Sequence, residues 1–141
     1  MSMSLPPERA VIDPTRDSFK QLFERVPAGA PVLMLNLLAF RAQAADEPGA
    51  PVRSGRAAYA TYSEAVAPLL ARVGGQVRWV ADARHALVAP PGEDWDEVLL
   101  VAYPTRDAFA AMIQSPEYRA IVHHRTAALR DARLIATTSR P

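Results

Sequence analysis

The feature that most constrains the fold is a pair of short segments that are apolar on both faces. PVLMLNLLAF at 31–40 and EVLLVAY at 97–103 have the length of strands, but neither alternates apolar with polar residues. A strand with one face in water alternates, because successive side chains point to opposite sides of the sheet. Both segments therefore predict strands of a sheet that is covered on its two sides.

Helical and extended patterns alternate along the rest of the 141 residues. Apolar residues at helical spacing, with Pro and Gly at the ends, predict the remaining elements. These are helices at 13–27, 56–73 and 104–114, a helix restarted by Ser115-Pro116 that runs to about 129, an extended segment at 76–89 and a final strand at 133–139. The order predicts an α+β fold: a ferredoxin-like βαββαβ unit with an antiparallel sheet and an extra N-terminal helix.

The second apolar sheet face predicts a partner. In a ferredoxin-like unit both helices lie on one side of the sheet, so no helix of the chain is placed to cover the other side. We therefore predict a homodimer in which the sheets of two copies face each other. The length suits a single domain at 11–141, preceded by a flexible, polar leader at 1–10.

Four segments, in this order, carry a family resemblance. PVLMLNLLAFR, YATYSEAVAPLLARVGGQVRW, WDEVLLVAYPTRDAFAAMI and HRTAALRDARLI resemble the DUF1330 family of the dimeric α/β-barrel superfamily, over about 11–135. The resemblance implies a ferredoxin-like fold and a barrel-forming dimer. It implies little about function, because the superfamily includes cofactor-free monooxygenases, muconolactone-isomerase-like enzymes and stress-response proteins.

Composition excludes several classes of function. The net charge of +1 argues against nucleic acid as a partner, because phosphate binding needs a concentrated basic surface. The absence of cysteine excludes disulfides and thiolate nucleophiles. No apolar run is long enough to span a membrane and no signal peptide is recognisable, so we expect a cytoplasmic protein. Glycine-rich nucleotide motifs and a GxSxG motif are missing, and we expect no bound cofactor.

Two histidines and an arginine stand together in YRAIVHHRTAAL at 118–129. On a helical wheel Arg125 lies in the middle of the apolar face, His124 on its flank and His123 on the opposite side. Adjacent helical side chains do not face each other, and His85 is alone in an extended segment, so we expect no metal site. His124 is the candidate catalytic residue, since imidazole exchanges protons near neutral pH.

Arg125 and Asn36 each place a polar group in an apolar surrounding. A buried guanidinium needs a partner, either a carboxylate such as Asp96, Asp131 or Glu97, or backbone carbonyls. Alternatively, Arg125 lines a cavity between helix and sheet and binds an anionic or carbonyl group. Asn36 is in the same way either a hydrogen-bonded core amide or a polar group in that cavity.

Tyr59, Tyr62, Trp79 and Tyr103 are candidates for the walls of such a ligand-binding cavity, beside the alternative that each is only part of the core. Two functions follow. One is an enzyme without a cofactor, isomerase-like or monooxygenase-like, that acts on a small carbonyl or aromatic acid. The other is a non-catalytic dimer that binds a small ligand or serves in a stress response.

Overall fold

A computed structural model describes residues 11–45, 48–49 and 51–141. The predicted leader at 1–10 lies outside the described residues. The helices and strands, in chain order, are α1 (Arg16–Arg25), β1 (Val32–Phe40), α2 (Gly55–Arg72), β2 (Gln76–Asp82), β3 (Glu97–Tyr103), α3 (Arg106–Ile113), α4 (Pro116–Ala128) and β4 (Leu129–Thr137).

The four strands form one antiparallel sheet in the order β2-β3-β1-β4. The two segments that are apolar on both faces, β1 and β3, are its central strands. The chain passes from β1 through α2 to the β2–β3 pair, and then through α3 and α4 to β4, while α1 precedes the whole unit. The predicted α+β fold with a ferredoxin-like antiparallel sheet and an extra N-terminal helix is confirmed.

Each helix begins at a residue whose hydroxyl satisfies a free backbone amide. Thr15, Ser54, Thr105 and Ser115 accept hydrogen bonds from the amide three residues ahead. Pro116 occupies the first turn of α4, as predicted, where its missing N–H costs nothing. None of the helices in the described ranges is long and apolar enough to cross a membrane.

The two faces of the sheet differ in what covers them. On the inner face, which the helices cover, Val32, Met34 and Leu38 are almost fully buried. Strand pairing places a second set of apolar side chains together on the other side, which we call the outer face. Its members include Leu33, Leu35, Leu37, Trp79, Val98, Leu100 and Ile135.

Several boundaries differ from the sequence prediction; the second strand, for example, ends at Asp82 rather than at 89. The last strand begins at Leu129 rather than at 133, so Leu129 belongs to β4 and not to the apolar face of the preceding helix. β4 pairs with β1 in one regular register from Thr137 back to Asp131, and a register shift between Ala39 and Phe40 then brings Leu129 opposite Phe40.

Gly55 fixes the position of α2 over one end of the sheet. Its amide donates to the Arg41 carbonyl at 3.1 Å, and the Arg41 amide donates to the Ala128 carbonyl at 2.9 Å. A Cβ on Gly55 would overlap the Arg41 carbonyl oxygen and would lie 2.5 Å from that of Ala128. Only glycine permits this approach, which sets the first turn of α2, with Arg56 and Tyr59, over the ends of β1 and β3.

Candidate functional site

A cleft of ≈ 1290 Å³ lies between the helices and the inner face of the sheet. Five of the residues singled out from the sequence line it: Asn36, Tyr59, Tyr62, Tyr103 and Arg125. They come from two strands and two helices, so the fold brings together side chains that lie far apart in the sequence. Clefts of this kind, apolar with a few polar groups, are where small molecules bind in proteins.

Trp79 does not line this cleft. A register shift between Val77 and Trp79 inserts Arg78 as an extra residue in β2, and Trp79 pairs with Leu100 on the outer face. Strict alternation would have placed Trp79 on the same side as Val77, facing the helices. The predicted wall residue is therefore 54% exposed on the opposite side of the sheet.

His124 is also absent from the cleft lining and does not share a site with Arg125. It lies with His123 in a second, more open groove formed by α4 and residues of the β1–α2 connection. Arg53 Nη2 lies 3.4 Å from His124 Nδ1, and the two imidazole rings are 4.0 Å apart. His124, the predicted acid or base, therefore lies in a different groove from Arg125, the predicted binding residue for an anionic or carbonyl group.

Asn36 presents an acceptor and not a donor. Its amide nitrogen donates to the Met34 and Leu99 carbonyls, both at 3.3 Å. Because both partners are carbonyl oxygens, the nitrogen must face them, which fixes the orientation of the amide. Oδ1 receives no hydrogen bond from the part of the chain that the structure describes, and it remains an acceptor for a ligand.

Arg125 is 8% exposed, as the helical wheel predicted, and of the two kinds of partner predicted for it a backbone carbonyl is found, while its carboxylate neighbour is none of Asp96, Asp131 and Glu97. Nη1 donates to the Ile12 carbonyl at 2.7 Å and lies 3.5 Å from Asp13 Oδ1. Asp96 instead accepts the Phe40 amide at 2.8 Å, and Asp131 accepts several bonds around the start of β4. Arg125 is thus held by Ile12 and Asp13, in the segment that leads into α1.

The aromatic walls form a continuous row. The ring centroids of Phe40 and Tyr59 are 5.4 Å apart, those of Tyr59 and Tyr62 5.3 Å, and those of Tyr62 and Tyr118 6.2 Å. Tyr62 and Tyr118 share a hydrogen bond of 2.9 Å between their hydroxyls. Tyr103 packs against Phe109 and pairs with Val32, about 13 Å along the strands from Asn36.

The Tyr59 hydroxyl differs from that of Tyr62, because it makes no hydrogen bond within the described residues. Burial raises the pKa of Tyr59, while the charge of Arg125 lowers it and that of Glu97 raises it. The hydroxyl is therefore a neutral donor that lies within the electrostatic reach of both charges. It can donate a hydrogen bond to a ligand in the cleft.

Glu97 and Arg56 also line the cleft, at the end where Tyr59 lies. Neither was predicted from the sequence as a ligand-binding residue. The Glu97 carboxylate lies 3.9 Å from Arg56 Nη1, and the Arg56 guanidinium stacks on the Phe40 ring at 4.7 Å. Glu97 is the first residue of β3 and sits on the inner face opposite Leu38. A charged residue that begins an otherwise apolar strand was the only signal available in the sequence.

This polar end therefore combines two acceptors, Asn36 Oδ1 and the Glu97 carboxylate, with two donors, the Tyr59 hydroxyl and the Arg56 guanidinium. The set suits a small molecule with one oxygen function and an apolar body. Across the described ranges, no three His, Asp or Glu side chains converge as a metal ion would require.

Comparison with solved structures shows the same architecture in a protein of unknown function from Rhodopseudomonas palustris. It is 37% identical, with a TM-score of 0.85, over 94% of this chain and 98% of that one. Its methylated form is 39% identical, also with a TM-score of 0.85, over 94% and 96% of the two chains.

A more distant structure is a protein of unknown function from Bacteroides fragilis, described as dimeric with a ferredoxin-like fold. It is 18% identical, with a TM-score of 0.49, over 80% of this chain and all of that one (100%). The search of curated proteins finds no match. The model of the domain of unknown function DUF1330 matches residues 54–138, more than half of the chain, and the protein belongs to that family.

Proposed function

We propose that the protein is an enzyme that acts, without a bound cofactor, on a small carbonyl compound or aromatic acid held in the cleft. The observation that carries the proposal is the polar end of the cleft. There Tyr59 and Asn36 each keep a hydrogen-bonding atom that no described residue uses. A protein core satisfies its buried polar groups, so atoms left open towards a cleft are suited to a ligand.

In this proposal the Tyr59 hydroxyl donates to the ligand oxygen, and Arg125 strengthens that donor through its charge. Arg125 holds Ile12 and Asp13 with one nitrogen, Nη1, so its other donors are available for an anionic group. Tyr62 and Tyr103 supply apolar wall. His124 is left out of the catalytic role because it lies in the other groove.

The alternative is a non-catalytic module that binds a small ligand, including one that serves in a stress response. The separation of His124 from Arg125 favours it, since the acid or base expected from the sequence is not at the cleft. Both functions share the binding step and differ only in turnover.

The binding step is tested by thermal unfolding of the protein with and without benzoate, phenylpyruvate and levulinate. A molecule that binds only the folded chain stabilises it by RT ln(1 + [L]/Kd), so the melting temperature rises with its concentration and affinity. The Tyr59→Phe variant should bind about three- to tenfold more weakly, which corresponds to one lost hydrogen bond. If none of the three acids binds, or if Tyr59→Phe binds them equally well, the assignment of this end of the cleft is wrong.

We also propose that a second copy of the chain covers the outer face. Trp79 and Ile135 are 54% and 48% exposed there, beside the leucines of β1 and β3. A contiguous apolar surface of this kind on a water-soluble sheet marks an interface. Both central strands are apolar on this side over most of their length, so two sheets can pack face to face.

Leu35→Lys tests the dimer, because Leu35 pairs with Leu100 and Ile135 in the middle of the outer face and does not contact the helix-covered core. The variant should stay folded by circular dichroism but sediment as a monomer. Ala111→Lys, at an exposed position of α3, is the matched control and should sediment as the wild type does. A wild-type chain that sediments as a monomer at micromolar concentration contradicts the proposal.

A further inference from the structure

Glu97 is placed in the cleft differently from the other acidic residues of the sheet. In the β1–β3 register Asn36 faces Leu99 and Leu38 faces Glu97, so Asn36 and Glu97 are diagonal neighbours on the inner face. Diagonal neighbours are within reach of one molecule bound across both strands. The side chain of Glu97 is only 17% exposed, which is low for a carboxylate.

The groups that face Glu97 stabilise its negative charge only weakly. Arg56 of α2 is its ion-pair partner at 3.9 Å, a distance at the outer limit of such contacts, and the Arg56 side chain is 58% exposed. Asp82 of β2 stands opposite Glu97 in the β2–β3 register and adds a second negative charge. Asn36 of β1 offers it no N–H, because both of its amide hydrogens are directed to backbone carbonyls.

These surroundings raise the pKa of Glu97 above its ordinary range. The largest cause is burial, Arg56 opposes it, and the neighbouring charge of Asp82 adds to it. A bound molecule that excludes water from this end of the cleft would act in the same direction as burial. A carboxyl group whose pKa moves towards neutrality can both accept and return a proton.

We propose that Glu97 exchanges protons with the bound molecule, and that this molecule is an enolisable carbonyl compound. This inference rests on the proposed function, since it names the reacting group and the substrate class for the same cleft. An enolisable carbonyl compound matches the polar end: a carbonyl oxygen for the Tyr59 hydroxyl, and an acidic C–H beside the Glu97 carboxylate.

The step balances without a cofactor. The Glu97 carboxylate takes the proton of the C–H bond next to the carbonyl, and the electron pair of that bond forms the C=C bond of an enolate. The negative charge then rests on the carbonyl oxygen, where the Tyr59 hydroxyl donates a hydrogen bond and the Arg125 charge stabilises it. The protonated Glu97 returns its proton to the same carbon or to a conjugated one, and the carboxylate is regenerated.

Proton exchange is measured by NMR in D₂O, as the loss of the C–H signal next to the carbonyl of phenylpyruvate and of levulinate. The comparison uses the wild type, Glu97→Gln and the control Glu24→Gln, which changes an exposed glutamate of α1 away from the cleft lining. Exchange above the buffer rate is expected for the wild type and for Glu24→Gln. It should fall by about 100-fold or more in Glu97→Gln, the usual contribution of a general base.

Thermal shifts by the same two probes separate binding from reaction. All three proteins should bind the probes, and Glu97→Gln no more weakly than the wild type, because Gln keeps the size of the Glu side chain and removes a negative charge that repels an anionic probe. Exchange that persists in Glu97→Gln overturns the role of Glu97. A wild type that binds both probes without exchanging either overturns the substrate class and leaves the proposed binding site standing. A wild type that binds neither probe overturns this inference, and the proposed function falls with it only if benzoate does not bind either.

Discussion

Replacing Arg125 with methionine removes a nearly buried charge and keeps the length of the side chain. The cost follows from its two partners. Asp13 is 59% exposed, so losing its ion pair costs about 0–1 kcal/mol. The Ile12 carbonyl loses a charged donor at 2.7 Å, a bond of about 1.5–3 kcal/mol.

Removing the guanidinium also stabilises the folded chain in part, because a charge no longer has to be desolvated on folding. We therefore expect Arg125→Met to lower the free energy of unfolding by about 1–2 kcal/mol, less than the 3–5 kcal/mol of a broken buried ion pair. Binding of benzoate should weaken at the same time, because the charge beside Tyr59 is gone.

Urea unfolding at one fixed protein concentration measures the change, with the slope of the transition as the check for two-state behaviour. Arg119→Met, at an exposed position of the same helix, controls for the effect of methionine on α4 and should change stability by less than about 0.5 kcal/mol. A loss above 3 kcal/mol for Arg125→Met would show a locked ion pair, and a gain would show that Ile12 and Asp13 do not hold the side chain. Either result would refute the reasoning.

Three further outcomes can be checked by the same unfolding measurements. Gly55→Ala should lower the free energy of unfolding by about 2 kcal/mol or more, because the new Cβ meets backbone oxygens of Arg41 and Ala128 that cannot move aside; an unchanged melting curve would contradict the close approach. Glu97→Gln should be stabilising at pH 7, where the wild type carries the cost of a buried carboxylate whose pKa is raised. The advantage should shrink as the pH falls through the raised pKa of Glu97 in the folded chain and should be lost below the ordinary Glu value of 4.5, and a pH-independent difference would contradict it. His123→Ala should change the free energy by less than about 0.5 kcal/mol because the side chain is exposed, and a loss above 2 kcal/mol would contradict its predicted helical phase.

The fold was largely predictable because its strongest signals are local. Helix caps such as Ser115 and the apolar run of β1, which only Asn36 interrupts, each depend only on neighbouring residues. What could not be predicted are single-residue irregularities. The extra residue Arg78 in β2 reverses the side of every later residue, and Trp79 moved to the outer face for this reason.

The site was less predictable because its contacts are distant in sequence. The helical wheel gave the burial of Arg125, but its acidic partner Asp13 is 112 residues away, in a segment without regular structure. Asn36 was recognised as a polar residue in an apolar strand, while its role as an acceptor depends on a carbonyl of β3 that only the register supplies. In the sequence Glu97 is recognisable only as the first residue of a strand. Its burial under Arg56 and α2 follows from the close approach at Gly55.

The strand order also has a consequence for the kinetics of folding. The central strand β1 has no neighbour that is close in sequence: Leu33 pairs with Ala102 on one side and with Thr137, 104 residues away, on the other. Long loops must therefore close before the middle of the sheet can form, and the entropy of that closure is lost before most apolar contacts are made. The β2–β3 pair, with the shortest connection between paired strands, can form first and offer β3 as the edge on which β1 assembles. We expect folding on the order of milliseconds to seconds, slower than that of a helical bundle of the same length.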